Sequence, residues 1–241
     1  LRARGLTAEL ITEDDLTGDT HRRFGVIYIA DTIALSRESK EALRDYVRAG
    51  GVLAGVNEVG RVQGGSWTGP WRYEDVFGVA AMETDEFGTA LSDNPRLYTN
   101  ASVDVSSSDH ALVAGLGSSI NLGPHSTSIW AVRPTTAKVL AWFPAHSRRS
   151  RDTPDQPQVV QEPAVAISVN SFGAGKAVWF AANVHQRDPA NWALAADALD
   201  VLARAPTLTT SSILPLPPRP VQIVIAISQL GYAPSETKRA L

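Results

Sequence analysis

Glu58 and His185 are the side chains whose type and setting could do acid–base chemistry. Glu58 lies two residues past the apolar run Gly51-Val-Leu-Ala-Gly-Val56, where a carboxylate could act as a general acid, accept a sugar hydroxyl or ligate a metal. The competing role is a loop carboxylate bonded to the amides of its own Gly-rich turn, and for a lone acid that is the stronger reading. His185 has Asp188 three residues on, and the two could form an acid–base pair. Asp188 stands directly before Pro189, however, and is better used as a helix cap. The five histidines, at 21, 110, 125, 146 and 185, are spread singly with no His-x-x-x-His spacing, so no metal centre is expected. Phe172-Gly-Ala-Gly-Lys176 lacks the glycine–lysine spacing of a phosphate loop and is followed by a strand-forming run, so a hairpin turn is expected and no cofactor. Asn57 opens a Gly-rich stretch reaching Pro70 that holds Trp67, with Trp71 just beyond it. These three are the carbohydrate-binding or interface candidates: indole rings can stack on the apolar face of a pyranose, or they can pack the loop or meet a partner.

Those residues need a scaffold that brings strand ends together. Phe24-Gly-Val-Ile-Tyr-Ile-Ala30 is continuously apolar and β-branched, as strands buried on both faces of a parallel sheet are. Ser36 is placed to cap a helix through Ala49 with Leu43, Tyr46 and Val47 as its buried stripe, and Gly50-Gly51 ends it before the strand 51–56. This is a strand–helix–strand unit, which puts Asn57 and Glu58 at the carboxyl edge of a sheet where ligands collect. A short strand at Thr7–Ile11 precedes it, behind Leu1-Arg-Ala-Arg-Gly5, which has the form of a helix tail; the first strand of the domain is expected to be missing. A short helix at Tyr73–Phe77 is expected to end at Gly78, with β segments at Leu97–Val105, Ser128–Val132, Lys138–Phe143, Pro163–Val169 and Lys176–Ala182, and a helix from Asp188 to Ala205. His146-Ser-Arg-Arg-Ser-Arg151 is expected to be a solvated loop. Thr207 to Pro220 changes to Thr/Ser and then Leu-Pro-Leu-Pro-Pro-Arg-Pro, a stiff linker. The expected organisation is an α/β domain at 1–205, a Pro-rich linker at 206–220 and the start of another domain at 221–241.

Composition sets limits. The chain has 241 residues, 44% of them hydrophobic, enough for a proper core. A net charge of −3, with cations scattered among acids, leaves no footprint for nucleic acid. The absence of cysteine removes disulfides, thiolate metal sites and any cysteine nucleophile. No apolar run approaches the ~20 residues of a membrane-spanning helix.

Four phrases carry a resemblance: Leu43-Arg-Asp-Tyr-Val-Arg-Ala-Gly-Gly-Val-Leu53, Asp75-Val-Phe-Gly-Val79, Asp109-His-Ala-Leu-Val-Ala-Gly-Leu116 and Phe172-Gly-Ala-Gly-Lys-Ala-Val-Trp-Phe180. Together they resemble the class I glutamine amidotransferase-like domains of carbohydrate-active proteins, of which the trimerisation domain of family 42 β-galactosidases is a member. The resemblance covers roughly 1–205 and implies a flavodoxin-like three-layer α/β sandwich with a mostly parallel sheet. The tail, Ile227-Ser-Gln-Leu-Gly-Tyr-Ala-Pro-Ser-Glu-Thr-Lys-Arg-Ala240, resembles the start of the immunoglobulin-like domain that precedes the catalytic barrel of family 9 glycoside hydrolases. It implies that the strand at 221–227 belongs to a following β-sandwich.

A working amidotransferase needs a cysteine on a sharp strand-to-helix turn. Here Val56 leads into Asn57-Glu-Val-Gly60, with neither that cysteine nor a Gly-x-Ser-x-Gly phrase. The resemblance therefore implies a non-catalytic accessory or interaction domain of a multidomain protein that degrades polysaccharide, with an extracellular or periplasmic setting. The alternative is a hydrolase or carbohydrate-binding module acting through Glu58, His185 and the Trp67/Trp71 loop. The partners expected are neighbouring domains of the same polypeptide, a carbohydrate ligand or a second copy.

Overall fold

The computed structural model describes residues 7–29, 32, 34–57, 59–60, 71, 73–81, 96–98, 102–106, 110–113, 117–121, 127–129, 132–144, 146–148, 159–161, 163–181 and 222–226. The strand–helix–strand unit forms where the pattern puts it. Strand β2 (Val26–Ile29) is buried along its whole length, helix α2 spans Arg37–Arg48, and β3 is Val52–Val56. Ser36 caps α2, its Oγ accepting from Ser39 N at 3.1 Å. The buried stripe of α2 is Ser39, Lys40, Leu43, Tyr46 and Val47. It therefore extends one turn further towards the N-terminus than the apolar residues alone indicate. At its other end the Tyr46 hydroxyl donates to Phe24 O at 3.1 Å. The ring lies where a Cβ on Gly51 would come within 2.3 Å of it, so the glycine is what lets the helix seat this close to the sheet.

Ahead of this unit stands β1 (Thr7–Ile11), followed by a short helix α1 (Glu13–Thr17) and a 3-10 turn at Asp19–Arg23. The Asp15 carboxylate accepts from Thr12 N and Oγ1 at 2.8 and 2.9 Å, and the Glu13 carboxylate accepts from Ser36 N at 3.2 Å. Acidic side chains thus serve both helix starts, as the positive end of a helix favours. Helix α3 (Glu74–Phe77) ends at Gly78 in the left-handed conformation, φ 66°.

The remaining described strands are β4 (Val79–Ala81), β5 (Arg96–Tyr98), β6 (Ser102–Val105), β7 (Ser119–Asn121), β8 (Thr127–Ile129), β9 (Val132–Pro134), β10 (Lys138–Phe143), β11 (His146–Arg148), β12 (Val159–Gln161), β13 (Ala164–Phe172), β14 (Gly175–Phe180) and β15 (Gln222–Ala226). Nine of the fifteen described strands form one sheet in the order β1-β15-β2-β3-β14-β13-β10-β6-β7. The run from β1 to β14 is parallel, and β13, β10, β6 and β7 extend it antiparallel. This is the α/β, flavodoxin-like architecture expected. The core holds Trp179, Tyr73, Phe24, Phe77 and Phe143 among its largest fully buried side chains, each large apolar side chain so buried contributing about 1.5–3 kcal/mol.

Four expectations are corrected. The segment Leu97–Val105 is two strands, β5 and β6, in different sheets, and Ser128–Val132 likewise divides between β8 and β9. His146–Arg148 is not loop but strand β11, paired antiparallel with Val159–Gln161. Gln222–Ala226 does not stand apart from the α/β sheet: it pairs parallel with β1 on one side and β2 on the other. Its sequence, Gln-Ile-Val-Ile-Ala, is charge-free and β-branched, which suits an inner strand of a parallel sheet as well as the first strand of a sandwich. The expected helix 188–205, the linker and residues 227–241 lie outside the described residues.

Candidate functional site

The carboxyl edge of the parallel strands is built around the turn after β3. Asn57 takes φ 54°, the one positive value among the described non-glycine residues. Asparagine tolerates the left-handed region better than most residues. The turn is tied to β14 twice: Asn57 N donates to Phe180 O at 2.7 Å, and Trp179 Nε1 donates to Asn57 O at 3.0 Å. It is tied to the segment after β2 as well, through Gly60 N to Thr32 O at 2.8 Å.

Beneath the turn lies an aromatic floor. Trp71 is 3% exposed, its Nε1 donates to Val59 O at 2.7 Å, and its ring stacks on Phe77 at 5.7 Å. Tyr73 is fully buried beside Phe77 and its hydroxyl donates to Lys40 O at 3.4 Å. Burial pushes the Tyr73 hydroxyl well above its usual pKa, so it holds its proton across the physiological range. Gly60 fits above this floor because a Cβ there would come within 2.7 Å of the Tyr73 ring and 3.3 Å of Lys40 Cε. Phe77 in turn reaches the sheet over Gly55, where a Cβ would stand 2.5 Å from its ring.

Helix α3 is locked in place from three directions. Asn170 on β13 donates through Nδ2 to Asp75 O and Val76 O, both at 3.0 Å, and accepts from Thr136 Oγ1 at 3.1 Å. Arg44 on α2 forms a two-pronged pair with Asp75, at 2.6 and 2.7 Å. That pairing holds the Asp75 carboxyl below its ordinary value and raises Arg44. The Gly78 carbonyl accepts from the amides of Thr135, Thr136 and Ala137 at 2.9–3.1 Å.

Of the residues singled out in the sequence, Asn57 stands on the turn as expected. Trp71 packs into the domain, its ring on Phe77 and its N–H given to Val59 O, which is the packing role among the alternatives open to it. Glu58, Trp67 and His185 lie outside the described residues. Sequence reasoning missed Lys40 and Ser39. Both are buried in the first turn of α2, and they lie three and four residues before Leu43, the spacing that should have extended the stripe to them. Among the described residues no three His, Cys, Asp or Glu side chains gather as metal ligands would, and no helix is long and apolar enough to cross a membrane. What the described part of this edge offers chemically is a turn with Asn57 N and O, Val59 O and Gly60 N paired, over a packed aromatic floor.

No protein-family model and no curated protein matches the chain. Solved structures do. The β-galactosidase from Rahnella sp. R3 matches with a TM-score of 0.55 at 19% identity, over 90% of this chain and 27% of that one. The β-galactosidase from Bacillus circulans sp. alkalophilus matches at 0.51 and 16% identity, over 82% and 25%. A ThuA-like protein from Bacteroides uniformis ATCC 8492 matches at 0.50 and 13% identity, over 77% and 71%. The chain thus spans about a quarter of the length of the β-galactosidases it matches. At these identities the likeness is one of fold, and it agrees with the flavodoxin-like α/β architecture described above.

Proposed function

We propose that the chain is a non-catalytic accessory domain of a multidomain carbohydrate-active protein, in a glycoside hydrolase context, where it positions or joins other parts and breaks no bond itself. The observation that carries this reading is the turn after β3. A working amidotransferase carries a cysteine nucleophile on a sharp turn after a strand; here the described residue that follows β3 is Asn57, with its backbone tied to β14 and Trp71 buried below. An amide side chain is a poor nucleophile and no base for one. The fold likeness lends support of a second kind, since the region of this architecture makes up about a quarter of two β-galactosidases. Fold alone does not assign function, so the weight rests on the turn.

The rival reading, a hydrolase or carbohydrate-binding module built on Glu58, His185 and the Trp67/Trp71 loop, is weakened by the burial of Trp71. The flanking gene sequence tests the proposal. A glycoside hydrolase catalytic domain in the same reading frame is the expected finding. An open reading frame holding this domain and nothing else would overturn it.

A further inference from the structure

We draw no further inference here: the strongest candidate, the buried side-chain cluster of Ser39 and Lys40 in the first turn of α2, with Lys40 Cε close to Gly60, belongs to the packed floor of the site already described, and among the described residues nothing besides the helix N-terminus points to a ligand there.

Discussion

The packing of Phe77 on Gly55 is the contact on which the site's geometry turns, and Gly55→Ala tests it. An added Cβ would stand 2.5 Å from Cζ of Phe77 and 3.2–3.3 Å from Cε1 and Cε2. The ring has little freedom to yield, because it is fully buried with Trp71 at 5.7 Å and Tyr73 at 5.8 Å. Helix α3 cannot lift away cheaply either, since Asn170 and Arg44 both hold it. Overpacking of this kind costs about 1–3 kcal/mol. With a urea m-value of about 2 kcal/mol/M, that is a fall of roughly 0.5–1.5 M in the denaturation midpoint. Phe77→Leu removes the ring edge that clashes. Alone it should cost about 1 kcal/mol, well below the 3–5 kcal/mol of truncation to alanine. In Gly55→Ala/Phe77→Leu the two losses should not add, leaving a favourable coupling of about 1–2 kcal/mol. Urea unfolding followed by circular dichroism for the four proteins measures it. A Gly55→Ala midpoint within 0.2 M of the parent, or strict additivity in the double variant, would refute the reasoning.

Three further outcomes follow from the same structure. At Asn57, where φ is 54°, Asn57→Gly should be more stable than Asn57→Ala by about 1 kcal/mol in urea unfolding, the cost of holding alanine left-handed. The Asp75 carboxyl is held below its unfolded value of 3.8 by Arg44, so its contribution is fully present above that pH and is lost as pH falls through the lower folded value. The stability gap between the parent and Asp75→Asn should therefore be level from pH 8 to 5, at about 0.5–1 kcal/mol given that Asp75 is 58% exposed, and should close below pH 4. Ser168 Oγ is buried with no hydrogen-bond partner among the described residues, so Ser168→Ala should leave stability unchanged or raise it by up to about 1 kcal/mol in thermal unfolding.

Much of this scaffold could be read from local sequence, and the reason is that its strongest signals are local. The apolar run at 24–30, the Ser36 cap and Gly50-Gly51 fix β2, α2 and β3 within a residue or two, because each boundary has its own short-range physical cause. The same is true of Gly78 at the end of α3 and of the turn between β13 and β14. Helix α1 and the 3-10 turn were not legible: at five residues each they are set by side-chain caps and by packing on α2, not by periodicity. The place of β15 was not legible either, since Gln-Ile-Val-Ile-Ala describes a buried strand but not which sheet buries it, and the proline run ahead of it has the form of a boundary. At the site, Asn57 was visible as the residue after a strand, whereas the fate of Trp71 depended on Phe77 and Val59, contacts that only the fold creates. Lys40 was overlooked because a charged residue on a helix is ordinarily solvated.

The central claim is that this domain does no bond-breaking chemistry, and turnover by the purified protein tests it most directly. A panel of chromogenic glycosides and acyl esters would be followed with the parent, Glu58→Gln and His185→Ala. The account predicts rates equal to the buffer blank for all three proteins. Turnover by the parent that is abolished in Glu58→Gln or His185→Ala would contradict it.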